Sequence, residues 1–259
     1  MTTPELTPDL PAGTFRPAPH RASHAAMALA QGVMETKLVL RHGEQQLLNL
    51  VMPIVILVAA VTMPVLGEDA TVTEIFPMVL AVAATSAGFT GQAISLAFDR
   101  RYGALKRVGA SGVPAATIVA GKIFAVLAVS LVQVIVLAGV AFLLGFRTSP
   151  AGVALGAGIL LLGIVCFTSL GLLLGGTLSS ELVLGLANLL WVAIVGVVGW
   201  VLFEFGLAAA GWWNLVPSVA LAAGLDAAFS GHVPWLQAVV LTGWSAVVSL
   251  GCVRWFRFD

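Results

Sequence analysis

The residues able to do chemistry are few. Asp99, Arg100, Arg101, Lys106 and Arg107 put five charges into nine residues of a chain that is only 9% charged, and they take four of its twelve basic side chains. Gly121-Lys122 has the look of the end of a phosphate-binding loop. Ile123 stands where Ser or Thr must hold magnesium, however, and no glycine lies five residues before Gly121, so the loop fails as a nucleotide site. His20 and His24 are four apart, as two metal ligands on a helix would be. They lie in a proline-rich tail with no nearby Cys or acidic third ligand, and a solvated tail explains them. Ser111 sits in Gly109-Ala110-Ser111-Gly112, which lacks the Gly-x-Ser-x-Gly frame of a nucleophile elbow. Cys166 and Cys252 both lie inside apolar runs and read as small buried hydrophobes rather than a disulfide. The chemistry is that of charges held together at one place, not of an active site, and no cofactor or metal is expected in this chain.

The elements that hold those charges are set by composition. The chain has 259 residues, 59% of them hydrophobic, with a mean hydropathy of +1.05. Soluble domains run nearer 45–50% apolar and about 25% charged. So few charges cannot cover a water-facing surface, and the class is integral membrane. A net charge of zero speaks against nucleic acid as a partner. Six runs are long enough for helices across the hydrocarbon, at 46–66, 75–98, 114–146, 151–178, 182–204 and 233–254. The fold expected is therefore all-α, with six transmembrane helices and no sheet. The third run exceeds what a bilayer needs and must tilt or project.

Orientation follows from the basic residues. With both termini inside, Arg16, Arg21, Lys37, Arg41, Arg100, Arg101, Lys106, Arg107, Arg254 and Arg257 are cytoplasmic, Lys122 lies near the same face, and only Arg147 falls outside. Glu68, Asp69, Glu74, Glu204 and Asp226 mark the outer side, where Trp212 and Trp213 read as an interfacial belt. Residues 1–23 read as a disordered cytoplasmic tail and 24–45 as an amphipathic interfacial helix, with Met27, Ala30, Met34 and Leu38 on one face. The transmembrane domain takes 46–259. Within it, 99–113 is a cytoplasmic loop, and 207–232, broken by Gly211, Pro217 and Gly224, is one or two short helices at or dipping into the outer interface.

The loop holds more pattern than a basic loop needs. Read as a helix, it puts Tyr102, Leu105 and Val108 on one face and Arg100, Lys106 and Arg107 elsewhere, before Gly109 and Gly112 break it and Pro114 opens the next span. A short helix with an apolar ridge and a charged rim is suited to docking on another protein. Here the sequence resembles the membrane subunit of ABC type-2 exporters. In that family the loop after the second span carries an acidic residue, Arg, Gly-Thr-Leu, a basic pair, Leu and then a Pro, with a Gly-Lys pair in the following span. Asp99, Arg100, Gly103, Leu105, Lys106, Arg107, Pro114, Gly121 and Lys122 match. Ala104 replaces the usual Thr, Val108 replaces Leu, and Asp99 stands for the commoner Glu. The outline of six spans covers the whole chain, and Asn214–Leu225 is similar to the family's outer segment.

The resemblance implies that two such subunits, a second copy of this chain or a related six-span permease, form a path across the membrane. It implies two separate ATPase subunits that bind ATP and magnesium. It makes Asp99, Arg100, Arg101, Tyr102, Gly103, Leu105, Lys106, Arg107 and Val108 the coupling residues, which catalyse nothing. The expected location is a plasma membrane, such as a bacterial inner membrane. The expected cargo is lipophilic or amphipathic, because the spans hold no central charges but only milder groups. Among these are Thr85, Ser86, Thr90, Thr168 and Ser169, and the candidates for lining a path are Gln92, Gln133 and Asn188. Each of these has interhelical hydrogen bonding as its plainer role. Gly152 with Gly156 and Gly171 with Gly175 are spaced for close helix contact. The alternatives are an ion-coupled carrier or channel acting without an ATPase, and a non-transporting subunit that anchors a sensing or assembly complex.

Overall fold

A computed structural model describes residues 22–41, 43–63 and 71–255, with no strand among them. Most of the expected tail, with Arg16, His20 and Arg21, lies outside the described residues, as do His42, Glu68, Asp69 and Arg257.

The α-helices in order are α1 (His24–Arg41), α2 (Gly43–Thr62), α3 (Val72–Thr85), α4 (Gly91–Arg101), α5 (Ala104–Ala110), α6 (Ala115–Leu143), α7 (Pro150–Thr177), α8 (Ser180–Phe205), α9 (Pro217–Phe229) and α10 (Trp235–Trp255). A π-helical turn at Ser86–Thr90 fuses α3 and α4 into one rod, Val72–Arg101. That rod, α6, α7, α8 and α10 are long and apolar enough to cross a membrane. The apolar part of α2, Leu50–Thr62, and α9 are shorter. The protein is an all-α integral membrane protein.

The centre of the bundle is α7, which packs against α3, α4, α6, α8, α9 and α10. Small residues let the backbones approach. A methyl group on Gly171 would collide with the Phe89 carbonyl, and one on Gly175 with the Ala93 carbonyl. Gly152 and Gly156 sit in the same way against the Ala228 carbonyl and the Phe229 ring of α9. Both glycine pairs singled out by spacing therefore lie at helix contacts.

Residues 207–232 form two 3-10 turns, Leu207–Ala209 and Gly211–Leu215, and then α9. Pro217 opens α9, where a missing N–H costs nothing. This helix is no surface ornament. Val219, Ala220, Leu221, Ala222 and Leu225 are fully buried, among α3, α7, α8 and α10. Gln237 donates to Asn214, and the Trp244 indole donates to the Leu215 carbonyl, which tie the turns to α10. Trp212 is exposed and stacks on Trp213 at 3.9 Å. At the same end Phe76, Phe146 and Phe229 pack ring on ring, with centroids 4.6 to 5.7 Å apart. Arg147 there donates to the Phe142 and Phe146 carbonyls and lies over the Phe142 ring, capping the end of α6.

Helix α1 lies along α6, and its docking face is not the apolar row. Met34 and Leu38 are exposed, whereas Gly32 is buried against Phe124, and Gln31 covers Gly121. Ala28, Gln31, Gly32 and Glu35 form the contact stripe, at helical spacing. Of the apolar row, Ala30, Met34 and Leu38 are exposed and Met27 is half-buried.

Candidate functional site

The charged stretch is divided by a turn. Asp99, Arg100 and Arg101 end α4, Tyr102 and Gly103 turn the chain, and α5 begins at Ala104. Gly103 has φ of 71°, the left-handed region where only glycine is unstrained, so the helix cannot run through it. The single ridge of Tyr102, Leu105 and Val108 is thereby corrected. Leu105 is buried and Val108 half-buried, but Tyr102 is 70% exposed and stacks on Phe98 at 6.0 Å. Leu105 anchors α5 in a small core with Leu96, Ile118, Val119, Leu172 and Cys252, drawn from α4, α6, α7 and α10. The opposite side of α5 turns Lys106, Arg107 and Ala110 to the outside. Gly112, with φ of 78°, ends the element, and Pro114 caps α6 in extended conformation.

The first three charges point into the protein's own framework. Arg100 donates to the carbonyls of Gly175 and Leu178, both at 3.0 Å, and so caps the last turn of α7. Arg101 pairs with Glu181 at 2.7 Å, next to Ser180 at the start of α8. Asp99 accepts from Lys122 at 3.1 Å, and Lys122 also meets Glu35 at 2.8 Å. Lys122 is 1% exposed. Gln31 donates to Glu35, holding that carboxylate on the inner face of α1. One buried ammonium between two carboxylates thus joins α1, α4 and α6. A charge taken so far from water persists only with such partners.

Glu35 is the residue that sequence reading missed. A signal exists, because Glu35 continues the Ala28, Gln31, Gly32 stripe and interrupts none of the apolar row. Its partner on α6 is too distant in sequence for spacing to reveal the pair.

A cavity of about 320 Å3 opens beside the cluster, lined by Glu35, Asp99, Gln92, Ser95, Phe98 and Val129 among others. Of the three path candidates Gln92 alone lines it. Gln133 is buried on α6, and Asn188 sits on an exposed face of α8, donating to the Leu184 carbonyl of its own helix at 2.7 Å. Thr85 bonds back to Ala81 and Val82, whereas Ser169 meets Ser249 of α10 at 2.8 Å. No cluster of three or more His, Cys, Asp or Glu suited to a metal occurs among the described residues.

The arrangement comprises a continuous rod, a loop braced by ion pairs and carbonyl contacts, and a small knob, α5, with exposed basic residues. The profile of the ABC-2 type transporter family matches residues 32–198, well over half of the chain. The chain belongs to the ABC-2 type transporter family. Neither the curated proteins nor the solved structures yielded a match. The permease is thus a multi-pass membrane subunit of an ABC transporter. The matched stretch holds Glu35, Asp99 and Lys122, the knob, and most of α8. In the permease, α9, α10 and the tryptophan cluster on the turns lie beyond it.

Proposed function

We propose that the permease exports a lipophilic or amphipathic compound, driven by ATP that separate ATPase subunits hydrolyse. Helix α5 is the element a motor grips, and Asp99 to Val108 couple it to the spans. Of these, Lys106 and Arg107 meet the partner directly, with Tyr102 beside them. Asp99, Arg100, Gly103, Leu105 and Val108 brace the knob from within, and Arg101 braces it at the surface through its exposed pair with Glu181. The carrying observation is that α5 is rooted by Leu105 in four helices yet turns its two basic residues outward. Push on it moves the 30-residue rod Val72–Arg101 as one body.

Pairing of two permeases is supported by α8. Gly185, Asn188, Val192, Gly196 and Gly199 share one helical face, and no atom of the described residues outside the helix stands near a side chain added at any of the three glycines. A polar amide on such a face has a use against a second subunit, and little use against hydrocarbon. This face suits a copy of the same chain.

The test uses Lys106→Glu with Arg107→Glu. Co-purification with the cognate ATPase and ATP-dependent transport in vesicles should both be lost, with the thermal midpoint unchanged. Full retention of partner and transport would end the docking reading. Asp99→Arg is the poorer probe, because Asp99 faces Lys122 and its loss disturbs the framework. The ion-coupled alternative has one observation on its side, the buried Lys122 cluster. Cargo movement driven by an ion gradient without ATP would favour it.

A further inference from the structure

A second cavity, of about 400 Å3, lies between α3, α6, α7 and α9. Phe76, Leu80, Val134, Leu160, Leu225 and Phe229 build most of its wall. Its mouth is set by Leu131, Val153 and Leu161, which are exposed on the spanning helices α6 and α7. Side chains exposed there face hydrocarbon, so the mouth opens sideways to the lipid.

Two hydroxyls line this space. Thr148 donates to the Phe229 carbonyl at 2.8 Å and is occupied. Ser130, on α6, is 2% exposed, and its hydroxyl has no hydrogen-bond partner among the described residues. A buried hydroxyl without a partner is unfavourable. Water is a poor remedy, because an ordered water needs two to four polar partners, and among the described residues the side chains of the wall offer this hydroxyl and the spare lone pairs of Thr148. No charged side chain among the described residues lines the cavity, so an ionised ligand would lose its hydration with nothing in return. The volume falls in the range of about 300–1,000 Å3 typical of small-molecule pockets, which join apolar walls to a few placed polar groups.

We propose that this cavity binds a neutral lipophilic molecule taken from the bilayer, one hydrogen-bond acceptor of which receives the Ser130 hydroxyl. The site goes beyond ATP-driven export and does not depend on it. Its walls lie within one chain, remote from the α5 knob.

Benzophenone is a suitable probe, being neutral, lipophilic, photoreactive and equipped with a single carbonyl acceptor. The permease without any ATPase is placed in phosphatidylcholine nanodiscs, irradiated with increasing benzophenone, and digested for mass spectrometry. Saturable adducts should concentrate on the α6 and α7 segments around Ser130 and Leu160. Ala157→Trp, at the exposed mouth, should abolish them, whereas Val132→Trp, exposed on α6 but outside the cavity, should not. Ser130→Ala should raise the half-saturating concentration about three- to tenfold, the worth of one neutral hydrogen bond. Adducts spread evenly over all lipid-facing helices, or full labelling of Ala157→Trp, would overturn the site. Unchanged saturation in Ser130→Ala would overturn the acceptor chemistry and leave the cavity to plain hydrocarbon chains. Binding is read without ATP, so its failure and that of the export reading are separable.

Discussion

Lys122 is the residue on which three helices depend. Removing it by Lys122→Met strands Glu35 and Asp99 beside each other. By the measure of broken buried ion pairs this destabilises the fold by about 3–5 kcal/mol. The thermal midpoint in detergent should fall accordingly, and adding Glu35→Gln and Asp99→Asn to the same chain should recover most of the loss. At the other end of the molecule, burial first and the Glu74 carboxylate second hold Asp226 above the ordinary carboxylate range. Between its ordinary and its raised pKa, the folded chain keeps a proton that the unfolded chain gives up. Stability is therefore greatest below that interval and declines as pH rises through it. Asp226→Asn should flatten this slope in thermal melts across pH and raise the midpoint at neutral pH. Sequence showed Lys122 and Asp99 as members of one pattern but not that they touch. Pairing across a bundle depends on helix rotation, which no local spacing reports.

At the scale of elements, contact between α4 and α7 rests on glycine. Gly175→Ala puts a methyl group into the Ala93 carbonyl and should cost about 1–3 kcal/mol, as overpacking does. Gly158→Ala, on α7 like Gly175, meets open space among the described residues and should be neutral or stabilising by up to about 1 kcal/mol, since alanine favours helix. Paired melts of the two variants check this. Helices this apolar were readable from hydropathy, and so were the breaks at Gly211 and Pro217, but the break expected at Gly224 is absent, because α9 runs through it with Gly224 packed against Ile159 and Gln237. The division at Tyr102 and Gly103 was not, because helical spacing runs through it without a fault. The left-handed glycine was the clue, and it is visible only as a single residue type. Nothing in the letters of Ser86–Thr90 marks a π-helical turn.

For the whole molecule, the proposed pairing of two permeases through the open face of α8 can be tested directly. A cysteine at Gly196 should form a disulfide-linked dimer under mild oxidation in membranes, while one at Val132 should not. The chain's own Cys166 and Cys252 are buried and give no background. A monomer on non-reducing gels for both variants would remove α8 from the pairing surface. The wide turn at Ser86–Thr90 has a consequence at this scale. An extra residue in a helix acts as a phase shift of about 100° on everything that follows it. Downstream of the turn Asp99 meets Lys122, and α5, rooted by Leu105, turns Lys106 and Arg107 outward. Shorten the turn by one residue and the rod would still be long enough to span. Its two halves would then be clocked against each other, and Asp99 would be swung off the bearing at which it now meets Lys122.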